Sequence, residues 1–123
     1  MLYELTVIDH PTHLHFKVTG KNSYETVRRY LFEIYTICVK RNYSTVLIEE
    51  NLEGPGLSLA EIYNITSEGS QRKGLPVHRV AYVDLNPVHS SANMEFAKSV
   101  AMNRGLEVQV FATVAEAEKW LHS

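Results

Sequence analysis

The last twenty or so residues constrain the fold of this chain more than any other segment. Gly105 is suited to the left-handed conformation that ends a helix, and Val108 and Val110 alternate as they do along a β-strand. Thr113 and Glu116 then form a Thr-x-x-Glu capping box, which predicts that a closing helix begins there. A helix end, a strand and a second helix in so short a segment are typical of an α/β fold.

The rest of the chain continues this alternation. The first predicted elements are strands 2–8 and 13–18, then a helix that begins at Asn22 or Ser23 and runs to about Lys40, and strand 45–48. Helix 58–70, strand 77–83, a helix from about 91 to Gly105, strand 106–110 and a helix after Thr113 follow. The order β-β-α-β-α-β-α-β-α predicts right-handed crossovers after an opening hairpin. We therefore expect one α/β domain over residues 1–123, with a mixed, mostly parallel five-stranded sheet and four helices.

Periodicity predicts which faces of these elements are buried. The inward residues of the first helix are expected to be Tyr24, Val27, Leu31, Ile34 and Cys38, and those of the third helix Phe96, Ala97, Val100 and Ala101. Along the second strand, Leu14, Phe16 and Val18 point one way, while His13, His15 and Lys17 point the other way. We expect this second set of side chains to face water. Trp120, near the end of the closing helix, is expected in the core.

Composition excludes some classes of partner and location. Twelve basic and fourteen acidic side chains give a formal charge of −2, without the basic surface typical of nucleic-acid binding. No apolar run approaches the ~18 residues that a membrane span needs, and the acidic Glu4 follows the initial residues where a signal peptide would be basic. The single cysteine, Cys38, lies in a helical apolar stripe. These features predict a cytoplasmic protein that binds neither nucleic acid nor a membrane.

Several short segments resemble a known family. They are Val18-Thr19-Gly20, the stretch from His78 to Asp84, Phe96-Ala97, Asn103-Arg104-Gly105 and the closing segment from Val110 to Leu121. Together with the element order, they resemble the STAS domain, and within it the SpoIIAA-like group of small stand-alone bacterial proteins. The resemblance implies a sheet of four or five strands and, for many relatives, a non-enzymatic regulatory role through a protein partner. Other relatives resemble lipid-carrying domains.

The resemblance also suggests a modification site. Anti-sigma-factor antagonists of this family accept a phosphate on a serine, within an Asp-Ser-Ser/Thr-Gly stretch at the start of the helix after the third strand. The equivalent segment here runs from Glu49 to Ser58 and lacks Asp-Ser, so that only Ser58 could stand in for the phosphoacceptor. The alternative is that Ser58 caps the helix together with Glu61. Glu49, Glu50 and Glu53 would in addition repel a phosphate.

Polar side chains follow the carboxyl ends of two predicted parallel strands, where ligands of open α/β sheets bind. We therefore predict a ligand-binding rim that comprises Glu49, Glu50, Ser58, Asp84 and Asn86. Its paired carboxylates could act as an acid and a base. Because no nucleophile, cofactor-binding loop or histidine pair accompanies them, we predict no catalytic residues and no cofactor. A small enzyme is the third interpretation of the chain, after a binding or regulatory module and an apolar-ligand carrier.

Three histidines cluster near the first turn of the chain. A strand would place His13 and His15 on one face, near His10, and close enough to share a divalent metal ion. A structural zinc site needs about four ligands, however, and no cysteine lies nearby. Histidines on a wet strand face are usually just solvated. The sequence therefore predicts no metal site.

The first helix carries a second apolar line, which comprises Phe32, Tyr35 and Val39 and is offset by about 100° from the core stripe. A broad core contact is one explanation of this line. A homodimer contact or the wall of an apolar-ligand pocket is the other. The carrier hypothesis is favoured further by the surplus of aromatic residues, namely Tyr24, Tyr30, Phe32, Tyr35 and Tyr63.

Overall fold

A five-stranded mixed sheet, with its strands side by side in chain order, organises the computed structural model. The structure describes residues 3–70, 77–86, 89, 91–102 and 106–123, of which 69, 70, 91–94 and 101 are described by their backbone only. The elements are β1 (Tyr3–Asp9), β2 (Leu14–Lys21), α1 (Tyr24–Arg41), β3 (Thr45–Glu53), α2 (Leu59–Ser70), β4 (Arg79–Asp84), α3 (Ser91–Met102), β5 (Glu107–Phe111) and α4 (Val114–Leu121). β1 is antiparallel to β2, and each later pair of neighbours is parallel. The predicted α/β architecture is confirmed.

Helices cover both faces of the sheet. On one face, α1 and α2 pack on the larger core cluster, which includes Phe16, Ile48 and Leu52 from the strands. α3 lies beside α2 and over β5. On the other face, Ala117 and Leu121 of α4 pack against a smaller cluster on β3 and β4. The central strands are therefore buried on both sides, as the unbroken apolar run of β3 indicates.

The capping motifs in the sequence mark the starts of three helices. The Ser23 hydroxyl accepts a hydrogen bond from the Thr26 N–H, at 3.1 Å. In the box at α2, the Glu61 N–H donates to the Ser58 hydroxyl and the Glu61 carboxylate accepts from the Ser58 N–H. The Thr113 hydroxyl accepts from the backbone N–H of the residue three positions on. These predicted helix starts are confirmed, because each hydroxyl satisfies an otherwise unpaired N–H.

Two of the strands differ from prediction. β3 continues to Glu53 rather than ending at Ile48, because the carboxylates that follow the apolar run stay in register with β2 and β4. The water-facing assignment of the second strand is wrong at its start, since His13 and His15 are buried and only Lys17 is exposed. The carboxyl end of α4 lies against this part of the sheet, with the His122 ring 5.4 Å from that of His13.

The predicted helix faces are partly wrong as well. In α1, Tyr24 and Leu31 are only half-buried, whereas Thr26 and Tyr30 are fully buried. In α3, Val100 is buried but Phe96 is exposed. Tertiary packing rotates both stripes, because α1 and α3 each meet α2 as well as the sheet.

The predictions for the end of the chain have mixed outcomes. Trp120 is half-buried rather than central, and its ring lies 5.6 Å from that of Phe111 and beneath the Arg79 guanidinium. The side chain of Ala101 and the expected helix stop at Gly105 lie outside the described residues. No helix in the described ranges is both long and apolar enough to cross a membrane.

Candidate functional site

An apolar cavity of about 250 Å³ lies between the sheet and the helices α1, α2 and α3. Val46 and Ile48 of β3 and Val80 of β4 contribute to its floor, since period-two geometry points these side chains toward the helices. Its apolar walls include Val27, Leu31, Ile34, Leu57, Ile62, Ile65, Val77, Ala97, Leu106, Val108 and Val110. The cavity is therefore lined mainly by hydrocarbon.

Polar groups are concentrated at one end of this cavity. Glu50 continues the inward row of β3 beyond Ile48, and its side chain is only 3% exposed. The Tyr30 hydroxyl of α1 donates a hydrogen bond to the Glu50 carboxylate. The Tyr82 hydroxyl of β4 lies 3.4 Å from that of Tyr30. Two strands and one helix thus bring a carboxyl group and two phenols together at the end of an apolar space.

Burial shifts the acidity of all three groups. Desolvation raises the pKa of Glu50, and nearby Asp84 raises it further, while hydrogen bonds from the two tyrosines oppose the shift. Burial also raises the pKa values of Tyr30 and Tyr82 well above their ordinary value, reinforced by the Glu50 charge. Both phenols therefore keep their protons at neutral pH and act as hydrogen-bond donors.

An ion pair between His89 and Asp84 borders this polar end. The His89 Nδ1 lies 2.7 Å from an Asp84 carboxylate oxygen, and Nε2 lies 3.1 Å from the Gly54 carbonyl oxygen. Burial works to lower the pKa of His89, but the hydrogen bond and the charge of Asp84 outweigh it, so that the pKa is raised. Two acceptors around the ring favour the imidazolium, which donates to both.

Three of the five predicted rim residues come together at this end. Glu50 of β3 and Asp84 of β4 are paired neighbours in the sheet. The side-chain amide of Asn86 donates a hydrogen bond of 2.8 Å to the Leu52 carbonyl oxygen. The Asn86 N–H also donates to the Asp84 carboxylate. These bonds hold the chain after β4 against the end of β3.

The other two rim residues lie elsewhere. Glu49 points to the opposite face of the sheet, where its carboxylate is 2.9 Å from Nε2 of His15. Ser58 is exposed and caps α2. Strand alternation explains the first difference, because adjacent residues such as Glu49 and Glu50 cannot share a face.

Sequence reasoning missed three residues of this polar cluster, Tyr30, Tyr82 and His89. Tyr82 and Asp84 are two positions apart in β4, which indicates that both side chains lie on the same face of the sheet. Tyr30 lies one residue before Leu31 in the helical stripe, so a small rotation of α1 brings it inward. No local pattern marks His89, because it lies outside the helices and strands.

One group of possible metal ligands lies in this polar cluster. Glu50, Asp84 and His89 offer ligand atoms within 4.8 Å of one another. The protein itself already supplies hydrogen-bond partners to each of these side chains. The arrangement is thus suited to donating and accepting protons or hydrogen bonds at the end of an apolar chamber.

The second apolar line of α1 lies at the edge of the same cavity. Phe32 and Tyr35 are among the residues that line it, and their rings are 6.4 Å apart. Phe32 is 53% exposed and Val39 is 50% exposed, so the line also contributes apolar surface to the outside of the molecule.

No family model and no curated protein matches this chain significantly, whereas seven chains of solved structures do. One is an anti-sigma factor antagonist from Mycobacterium paratuberculosis, with a TM-score of 0.61, 10% identity and coverage of 98% of this chain and 95% of that one. Another is an uncharacterized protein of the DUF3478 family from Shewanella loihica PV-4, described as having a SpoIIAA-like fold. For it, the TM-score is 0.54, the identity 20% and the coverage 97% of this chain and 93% of that one. The chain therefore has the STAS/SpoIIAA-like fold that its sequence predicts.

Proposed function

We propose that this protein is a non-catalytic binding module that holds a small, mainly apolar molecule in the cavity between the sheet and α1–α3. The observation that carries the proposal is an apolar chamber with polar groups at one end, the usual construction of a small-molecule site. Hydrocarbon walls provide affinity, and a few polar groups fix the orientation of the ligand.

The size of the cavity limits the ligand. At about 250 Å³, it is larger than an engineered apolar cavity of ~150 Å³ that binds benzene and slightly smaller than the ~300 Å³ at which typical ligand pockets begin. A medium-length hydrocarbon chain or a small ring system fits this range. A complete two-chain lipid is too large for it.

The polar end favours an uncharged head group. Tyr30 and Tyr82 keep their protons, while the Asp84 carboxylate is paired with the His89 ring. An added carboxylate would lie near Glu50 and Asp84 and would have to leave water, which costs free energy. A hydroxyl or carbonyl oxygen could accept a hydrogen bond without these costs. We therefore propose that the ligand has an alcohol or carbonyl group.

Calorimetric titration with 1-octanol and with octanoate tests both parts of this proposal. We expect 1-octanol to bind more tightly than octanoate. Val80→Phe, which adds bulk inside the cavity, should weaken 1-octanol binding at least about tenfold, or ~1.4 kcal/mol. Val39→Phe makes the same change on an exposed part of α1 and should leave binding unchanged.

Two outcomes would contradict the proposal. If 1-octanol binds equally well to the Val80→Phe variant, the cavity is not the binding site. If octanoate binds more tightly than 1-octanol, the cavity binds a ligand but the uncharged head group is wrong. A native mass spectrum of the purified protein, acquired before any probe is added, identifies a ligand that co-purifies.

A regulatory switch through Ser58 is the second candidate function. The anti-sigma factor antagonist with the same fold and the exposure of the Ser58 hydroxyl support it. The hydrogen bonds between Ser58 and Glu61 disfavour this switch, because a phosphate on Ser58 would break them and be repelled by the Glu61 carboxylate. Intact mass analysis of the protein isolated from its native cells, with a Ser58→Ala variant as control, tests this candidate. A phosphate present on both forms, or on neither, would exclude Ser58 as its site.

A further inference from the structure

A second cluster of ionisable side chains lies on the opposite face of the sheet from the cavity, near the amino end of β2. It comprises His10 and His13, from the turn between β1 and β2, and Glu118, from the last turn of α4. More than one hundred residues of the chain separate the two histidines from the glutamate. Folding alone brings them together.

The geometry of the three side chains suits a shared ion. One ligand atom from each of His10, His13 and Glu118 lies within 4.8 Å of the other two. The two imidazole rings stack with their centroids 4.4 Å apart and their planes inclined by 9°. Because the nitrogen lone pairs lie in the ring planes, one ring has to turn before both can bind the same ion. Ligand atoms bound to zinc at ~2.0–2.1 Å in a tetrahedron lie about 3.3 Å apart, so side-chain rotations would complete the site.

The strongest observation is that the histidine nitrogens are buried without partners. His13 is 0% exposed, and neither of its ring nitrogens has a hydrogen-bond partner in the described part of the chain. The Nε2 of His10 is also buried and has no partner there. A buried polar group without a partner costs ~1–3 kcal/mol, and such groups are rare in folded proteins. A bound ion would satisfy the Nε2 of His10 and one of the two nitrogens of His13.

Each histidine would bind the ion through a nitrogen lone pair of its ring. A neutral imidazole is the form that coordinates metals.

We propose that His10, His13 and Glu118 bind a divalent transition-metal ion, with Zn²⁺ as the best fit. Two imidazoles and one carboxylate form a donor set that zinc accepts in proteins, with one position left over. His122 is close enough to take part, since its ring lies 5.4 Å from that of His13. The ion would tie the first turn of the chain to its last helix, where Thr12 and His122 already approach within 3.3 Å.

This site differs from the one considered from the sequence. The sequence places only His13 and His15 on one wet strand face, near His10, and predicts no metal site. In the structure, the Nε2 of His15 is directed to Glu49, and Glu118 provides the third ligand instead. The proposal does not depend on the function proposed for the cavity.

Calorimetric titration of the full, tag-free chain with ZnCl₂ tests the proposal. We expect one site per chain, and Co²⁺ in place of Zn²⁺ should give the visible absorption of a four-coordinate ion. The variants His10→Asn and Glu118→Gln should each weaken zinc binding at least about tenfold. Their matched controls are His78→Asn and Glu4→Gln, at exposed positions outside the cluster, which should bind zinc as the unmodified chain does.

A second readout separates loss of the site from loss of folding. Circular dichroism in the presence of a chelator should be the same for all four variants and the unmodified chain. Zinc should raise the melting temperature of the unmodified chain and of both controls, because it binds the folded state. Absence of zinc binding by the folded, unmodified chain overturns the proposal. Unchanged binding in both His10→Asn and Glu118→Gln overturns it as well.

Discussion

Glu50 shows how one residue's position in a strand determines its chemistry. Glu49 and Glu50 are adjacent acidic residues, yet one faces His15 on the α4 side and the other is buried beside Tyr30 on the cavity side. Burial raises the pKa of Glu50, so that this carboxyl group holds its proton more tightly in the folded protein than in the unfolded chain. Glu50 is therefore a polar group of the cavity with a measurable effect on stability.

Replacement of Glu50 by glutamine should change how stability depends on pH. Because the folded pKa is raised above the unfolded value of 4.5, the stabilisation linked to Glu50 is complete below that pH. It is lost as the pH rises from the unfolded pKa through the folded pKa, by up to ~1.4 kcal/mol for each pH unit between them. We therefore expect Glu50→Gln to be more stable, relative to the unmodified chain, when measured at about pH 8 than when measured at about pH 4.5.

Urea unfolding at both pH values measures this difference. Glu53→Gln, three residues further along β3 and exposed, is the matched control and should show no such trend. A stability difference between Glu50→Gln and the unmodified chain that stays constant with pH would contradict the raised pKa of Glu50.

At the scale of elements, the start of α2 is stabilised by a capping box. The capping box of Ser58 and Glu61 satisfies the first N–H groups of the helix and explains this serine without any modification. The helix then contributes Ile62 and Ile65 to the cavity wall. The integrity of this cap therefore affects the cavity wall as well as the local helix.

Removal of the Ser58 hydroxyl should destabilise the protein modestly. Ser58→Ala leaves the Glu61 N–H without its acceptor, and we expect a loss of about 1 kcal/mol. Ser58→Asn keeps a capping oxygen and should be nearly as stable as the unmodified chain. Urea unfolding of both variants gives the two values. Equal stability of the Ala and Asn variants would mean that the cap contributes little here.

At the scale of the whole molecule, the exposed apolar line of α1 has two interpretations. Phe32 and Tyr35 line the cavity, which favours their role at the entrance for an apolar ligand. Val39 is exposed and is not part of the lining, so the ligand hypothesis does not extend to it. A homodimer contact would involve all three residues.

Phe32→Ser distinguishes these interpretations. We expect the variant to bind 1-octanol several-fold more weakly, because it removes apolar contact area at the cavity, and to keep the mass of the unmodified chain in light scattering. Tyr35→Ser should behave similarly, whereas Val39→Ser should change neither measurement. A fall in mass for these variants would instead identify the line as a homodimer contact.

Local chemistry in the sequence was sufficient to predict the order of the elements, the helix caps and the five-stranded α/β fold. Caps and strand alternation depend on residues within four positions of each other, and these are visible in a single sequence. Asp84 and Asn86 could be placed near Glu50 because the carboxyl ends of parallel strands meet at one edge.

Only the tertiary structure decided the contents of the two clusters. The rotation of α1 brought Tyr30 rather than Leu31 against Glu50, and His89 lies beside Asp84. The approach of α4 to the first turn buried His13 and placed Glu118 beside it. Apart from that between His89 and Asp84, these contacts join residues far apart in the chain. Their formation depends on how whole helices pack, which local patterns in the sequence do not encode.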